Sequence, residues 1–109
     1  MKYGLHISSS AERDIDEAAN YIENVLKNPQ AAEALLDEIE ETLHTLREYP
    51  ERIPLVSEPV LKAWGIRFIR IKNYLVFFTV DNDRNRVTIV RFQYAKRNWW
   101  TILKGSLPQ

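Results

Sequence analysis

Two apolar stripes of helical period, separated only by Asn28-Pro29, constrain this chain more than any other feature. Ile15, Ala18, Ala19, Ile22 and Leu26 recur at spacings of three and four, the signature of one buried face on an amphipathic helix. Ser9-Ser10-Ala11-Glu12 precedes them and reads as a capping box, with Ser9 as N-cap and Glu12 reaching back. Asn28 then caps, and Pro29 opens, a second helix, since a first helical position has no use for an N–H. Its stripe is Ala32, Leu35, Leu36, Ile39, Leu43 and Leu46, ending at Tyr49-Pro50. So short a link sets the two helices antiparallel.

The period changes on either side of this hairpin. In Lys2 to Ser8, Tyr3, Leu5 and Ile7 alternate with other residues, as in a half-buried strand. Pro50, Pro54 and Pro59 mark a connection that reads as irregular and non-helical. Beyond it lie Ile66–Ile71, Tyr74–Val80 and Val87–Tyr94, all rich in β-branched and aromatic residues. Lys72-Asn73 and Asp81–Asn85 supply the turns of an antiparallel meander. Asn98–Lys104 reads as a short C-terminal helix closed by Gly105. Residues 1–109 are thus expected to form one α+β domain: an N-terminal strand, an antiparallel helical hairpin on a sheet, then a three-strand antiparallel meander.

Composition excludes several chemistries. The 109 residues contain no Cys, hence no thiolate nucleophile, disulfide or Cys-based metal site, and only His6 and His44 as imidazoles. No cofactor or metal is expected. The longest apolar run, Tyr74–Phe78, is too short for a bilayer, and no secretory signal is expected. A small, soluble, cytoplasmic protein without membrane contact is expected. No Gly-rich phosphate loop, H-E-x-x-H or G-x-S-x-G occurs. Acidic pairs such as Asp14/Asp16 and Glu40/Glu41 read as solvated helix faces, and neither His has a visible partner.

The charge is nevertheless polarised. Residues 1–60 hold five basic and thirteen acidic groups, a net of −8, whereas residues 61–109 hold ten basic groups against Asp81 and Asp83, a net of +8. Either the basic end serves an anionic partner or the two halves neutralise each other across the fold. The richest segment is Arg91-Phe92-Gln93-Tyr94-Ala95-Lys96-Arg97-Asn98-Trp99-Trp100. Alternation places Arg91 and Gln93 on one face of the last strand, Phe92 and Tyr94 on the other. Cations beside aromatics suit RNA, and Arg67 and Arg70 extend the positive surface. An RNA-cleaving site without His is chemically feasible: Arg or Lys stabilises charge on phosphorus and Tyr handles a proton. The same aromatics, Trp99 and Trp100 above all, serve equally well as core.

In order and spacing, the chain resembles toxins of the RelE/ParE superfamily of type II toxin–antitoxin modules. The residues that carry this are Ala11-Glu12-Arg13-Asp14-Ile15, Tyr21-Ile22, Asn28-Pro29-Gln30-Ala31-Ala32, Leu46-Arg47-Glu48-Tyr49-Pro50, Gly65-Ile66-Arg67, Asn73–Asp81 and Arg91–Arg97. The resemblance implies a growth-inhibiting toxin neutralised by a cognate antitoxin encoded beside it, with Trp99 and Trp100 as candidate antitoxin contacts. RelE-like members cut mRNA in the ribosomal A site; ParE-like members poison DNA gyrase and lack the nuclease residues. Where RelE-like chains carry a catalytic Arg before the Leu-Val-aromatic strand, this chain has Tyr74. Their Gly-Lys-Arg run matches Ala95-Lys96-Arg97, and the His-Tyr of some relatives matches Gln93-Tyr94. Tyr74, Gln93, the zero net charge and the long acidic hairpin favour the ParE-like mode. In the alternative, a metal-independent endoribonuclease, Tyr94 and Arg97 are catalytic; Arg67, Arg70, Arg91 and Lys96 then bind RNA, or in the ParE-like mode serve equally as a docking surface for gyrase or for an acidic antitoxin. A third possibility is a toxin fold that only binds antitoxin.

Overall fold

A computed structural model describes residues 2–106. Chain order is β1 (Gly4–Ile7), α1 (Ser9–Asn20), α2 (Pro29–Thr45), α3 (Pro59–Ala63), β2 (Arg67–Ile71), β3 (Tyr74–Asp81), β4 (Arg86–Tyr94) and α4 (Trp99–Ser106). The α+β architecture and the helical hairpin are as expected, as is the β2–β3–β4 meander. One pairing differs from a purely antiparallel sheet: the strand order is β1-β4-β3-β2, and β1 runs parallel to β4. Parallel neighbours need a long crossover, and here the hairpin with everything up to β4 provides it.

The helix ends show how local chemistry differs from the sequence reading. Ser8, not Ser9, caps α1: its Oγ accepts from Ala11 N at 3.0 Å and donates to Val90 O at 2.9 Å. One hydroxyl therefore satisfies a helix end and anchors it to β4, which Ser9 is not placed to do. Asn28 Oδ1 caps α2 by accepting from Ala31 N at 3.1 Å, with Pro29 at the first position as expected. Between the two helices, Tyr21–Val25 forms a π-helical turn in which Leu26 N donates to Tyr21 O. The extra residue per turn rotates the stripe out of phase, so Leu26, read as core, is 55% exposed. The proline-rich connection also departs from expectation. It contains a 3₁₀ turn at Pro50–Arg52 and α3, because Pro is tolerated in a first turn. Gly105 lies within α4, which continues to Ser106, rather than ending it.

Both faces of the sheet are covered. On one, the hairpin buries Leu35, Ile39 and Leu43 against Val76, Phe78, Ile89 and Phe92. On the other, Leu61 of α3 and Leu103 of α4, with Val56 and Ile66, pack on Leu75, Phe77 and Val90. A bulge allows both. Phe77 pairs with Arg91 but Phe78 pairs with Ile89, so Val90 has no partner on β3. Val87 and Ile89 thus share the hairpin face with the even-numbered Phe92, while Val90 turns to the second cluster.

The second cluster is small, so its fully buried members matter. Leu103→Ala is expected to cost about 3 kcal/mol, the usual range for a core Leu truncation, and to loosen α4. Urea unfolding followed by tryptophan fluorescence checks this; a loss below about 1 kcal/mol means that α4 is not an integral part of the core.

Candidate functional site

A cleft of roughly 930 Å³ opens between the hairpin and the adjoining ends of β3 and β4. Ala18, Ile22, Ala34 and Leu35 make its apolar wall; Tyr21, Tyr74, Tyr94, Gln93, Lys72 and Arg97 supply most of its polar groups. Sheet register brings two of the phenols together, because Tyr74 at the start of β3 pairs with Tyr94 at the end of β4. Their rings meet edge to face, centroids 5.6 Å apart at 75°, and Tyr74 also stacks on Phe92 at 4.8 Å and 14°. The π-helical turn contributes Tyr21. After β4 the chain reverses, with Ala95 N donating to Asn73 O and Arg97 N to Tyr94 O, which brings Arg97 to the cleft wall.

The Tyr74 hydroxyl is held above its ordinary range, first by burial and then by the neighbouring phenols of Tyr94 and Tyr21. It is accordingly a neutral donor at physiological pH and not a base. The phenols on the apolar wall can stack on an aromatic group, and Arg97 and Lys72 can hold an anionic one, while Glu17 and the clasped Asp14 also line the cleft. Among the described residues no group of three or more His, Asp or Glu side chains is placed to hold a metal ion. Nor is any helix there long and apolar enough to cross a membrane.

The residues singled out from sequence separate here. Tyr94 and Arg97 line the cleft together, with Tyr74 and Gln93. Arg91 stands nearby, but its guanidinium clasps Asp14 through Nε at 2.6 Å and Nη2 at 2.9 Å. Arg67 lies at the far end of β2, donating to the carbonyls of Ile53 and Glu51 and pairing with the Glu51 carboxylate at 3.7 Å. Arg70 Nε donates to Lys72 O at 2.8 Å, and Lys96 is exposed on the turn after β4. Trp99 packs on Phe77 and Phe68 in the second core cluster, and Lys104 Nζ sits 3.6 Å over the Trp100 ring. His6 and His44 are not in the cleft.

Two participants were not legible as such. Asp14, read as a solvated acid, has a side chain only 9% exposed and also accepts from Phe92 N at 3.1 Å. Its position between Ala11 and Ala18, beside Ile15, was the available signal, because a residue at the margin of an apolar stripe meets the sheet. Tyr21 gave none, since its placement depends on the π-helical turn.

Two tests follow from this geometry. Removing either partner of the Asp14–Arg91 clasp strands a charge, so Asp14→Ala and Arg91→Ala are each expected to lose about 3 kcal/mol. The double variant should lose much less than their sum, as a denaturation cycle would reveal; additive losses would mean uncoupled groups. Tyr74 gives a pH dependence. Folding favours its protonated form, so that contribution is fully present below its unfolded value of 10.0 and lost as pH rises through the higher folded value. Absorbance titration at alkaline pH should show one late-titrating phenol that Tyr74→Phe removes, together with part of the alkaline fall in Tm.

Residues 5–99 match the family model described as the ParE toxin of type II toxin-antitoxin system, parDE. No curated protein matches the sequence. Among solved structures, the chain is similar to one from the chromosomal ParDE toxin–antitoxin system of P. aeruginosa, with TM-score 0.70 and 18% identity over 87% of this chain and 98% of that one. It is similar to a chain of the RelBE2 toxin–antitoxin complex of Mycobacterium tuberculosis, with TM-score 0.61 and 18% identity over 86% and 99% of the two chains. A substituted E. coli RelE toxin in its free state gives TM-score 0.65 and 14% identity over 97% and 94%. At such identities the structures speak for the fold, and the family match over most of the chain for membership: this protein belongs to the ParE toxin family of type II toxin–antitoxin systems.

Proposed function

We propose that this toxin acts in the ParE-like mode, arresting growth by binding DNA gyrase without cutting nucleic acid, and that a cognate antitoxin encoded beside it holds it in check. One observation carries the choice of mode: Arg91 and Arg67, two of the cations that an RNA-cleaving site would use to grip phosphate, are engaged elsewhere. Arg91 is clasped by Asp14, Arg67 is tied to Glu51 and Ile53, and Tyr74 stands as a neutral phenol where RelE-like chains place an arginine. A carboxylate clasp of this kind is charge-assisted and is not surrendered cheaply to a phosphate. The antitoxin is supported by the similar chains of the ParDE system and the RelBE2 complex.

A second reading rests on a specific placement. Tyr94 and Arg97, the two residues an endoribonuclease would need, share the cleft. There Tyr94 would exchange a proton with the ribose 2′-hydroxyl as it attacks phosphorus, and Arg97 would stabilise the phosphorane before the 5′-oxygen leaves.

Supercoiling by purified gyrase, run beside cleavage of mRNA on programmed ribosomes, separates the two. The ParE-like mode predicts loss of supercoiling and intact mRNA. Arg97→Ala should then weaken gyrase inhibition by about tenfold or more, as expected for one charged hydrogen bond, with Tyr94→Phe milder. Fragments ending in 2′,3′-cyclic phosphate that disappear in Tyr94→Phe would overturn it in favour of the nuclease. In cells, thymidine incorporation should fall before leucine incorporation.

A further inference from the structure

The two edges of the sheet are protected differently. On the outer side of β2, Leu55 bridges Arg67 and Val56 N donates to Ile66 O, which covers the start of that strand, and Arg67 and Arg70 place charge along it. At the other end of the sheet, β1 uses Gly4, His6 and Ser8 to bond β4; Gly4 N donates to Asn85 O and Ser8 N to Ile89 O. Alternation then turns the backbone groups of Tyr3, Leu5 and Ile7 outward. Tyr3 is satisfied there by Arg47, which accepts from Tyr3 N through its carbonyl and donates to Tyr3 O through Nε. Leu5 and Ile7 make no such bonds among the described residues, leaving two N–H and two C=O groups open. No proline, bulge or charged side chain lies within Gly4–Ile7 to discourage pairing.

Beside this edge runs a groove of roughly 670 Å³ between β1 and α2, with Leu5, Ile7, Leu36 and Leu43 among its apolar walls. Its charge is graded. Arg47 lies at the Tyr3 end, whereas Asp37, Glu40 and Glu41, up to three turns earlier on α2, also line it. Ten residues of helix span about 15 Å, comparable to the length of β1, so the acids sit toward the Ile7 end.

We propose that this edge and groove seat a second copy of the same chain, β1 pairing antiparallel with β1 about a two-fold axis at His6. Leu5 of each copy then faces Ile7 of the other, and the open groups become four inter-chain hydrogen bonds. The side chains of Leu5 and Ile7 stay on the groove face. Antiparallel reversal carries the end of each copy that holds Arg47, with Lys2 paired to Glu48 at 3.9 Å and one net positive charge, over the acidic end of the other. A two-fold contact must be self-complementary, and a strand edge graded from basic to acidic meets that condition with its own inverse. Charge complementarity thus selects a second copy over an arbitrary strand.

Sedimentation velocity of the purified toxin tests this. The expected result is a particle of twice the chain mass at about 100 μM, with a dissociation constant raised at least tenfold by Leu5→Lys, which buries a charge in the seam. Glu40→Lys with Glu41→Lys, both on the exposed surface of α2, should weaken it similarly without touching the core. Adding Lys2→Glu to that pair should recover association, which a merely unfolded variant cannot do. A monomer throughout overturns the proposal. So does a dimer indifferent to these substitutions, which would lie elsewhere. A monomer whose Leu5→Lys variant loses affinity for the antitoxin also overturns it, giving the edge to an antitoxin strand instead.

Discussion

At Val90 the strand β4 carries one residue more than its partner, and groups at the start of α1 hold that irregularity in place. Ser8 Oγ donates to the Val90 carbonyl, while Asp14 takes both the Arg91 guanidinium and the Phe92 N–H. The backbone groups of a bulge are partly released from the ladder, and a buried N–H without an acceptor is costly. Supplying acceptors and donors from α1 makes the bulge tolerable and fixes where the helix lies on the sheet. The consequences reach both faces. Val90 is free to join the second cluster, Phe92 is turned toward the hairpin, and Tyr94 arrives beside Tyr74 at the cleft.

This explains what could be read from the residues and what could not. Helical stripes, the Asn28-Pro29 boundary and the β-rich runs are local and legible, since each depends on periodicity or on one residue's own geometry. Tyr94 and Arg97 were legible as a pair because the last strand and its turn deliver them together. The bulge was not, because its signal is two odd-numbered core residues, Val87 and Ile89, followed by an even-numbered one, Phe92, which a single strand does not distinguish from a slip of register. The parallel placement of β1 depends on long-range packing of the hairpin. Arg91 and Arg67 read as surface cations because their partners, Asp14 and Glu51, lie far from them in the chain.

Those partners also account for part of the charge asymmetry. Arg91–Asp14, Arg67–Glu51 and Lys72–Glu38 each join the basic half of the chain to the acidic half. Only the first is well shielded, with its two side chains 19% and 9% exposed, so it alone has much leverage on stability. The other two are loose pairs at 3.7 and 3.8 Å, serving to keep opposite charges near each other. Internal neutralisation is therefore real but incomplete. Arg97 remains in the cleft wall, Lys96 remains exposed on the turn before it, and Asp37, Glu40 and Glu41 remain along the groove.

The two flanks of the hairpin consequently ask for different things. The cleft offers side-chain donors on an apolar wall, satisfied by any group of suitable charge and shape. The β1 edge offers backbone groups at a fixed spacing, satisfied only by another extended strand. A strand of four residues with two outward positions gives few hydrogen bonds, each worth about 1 kcal/mol net, so pairing there is weak unless side chains add to it. Weak pairing has a physical use for a toxin that must also meet an antitoxin. It shields a bare sheet edge from indiscriminate association while the protein is free, yet yields to a partner that brings more buried area. A longer β1 would have made self-association hard to reverse.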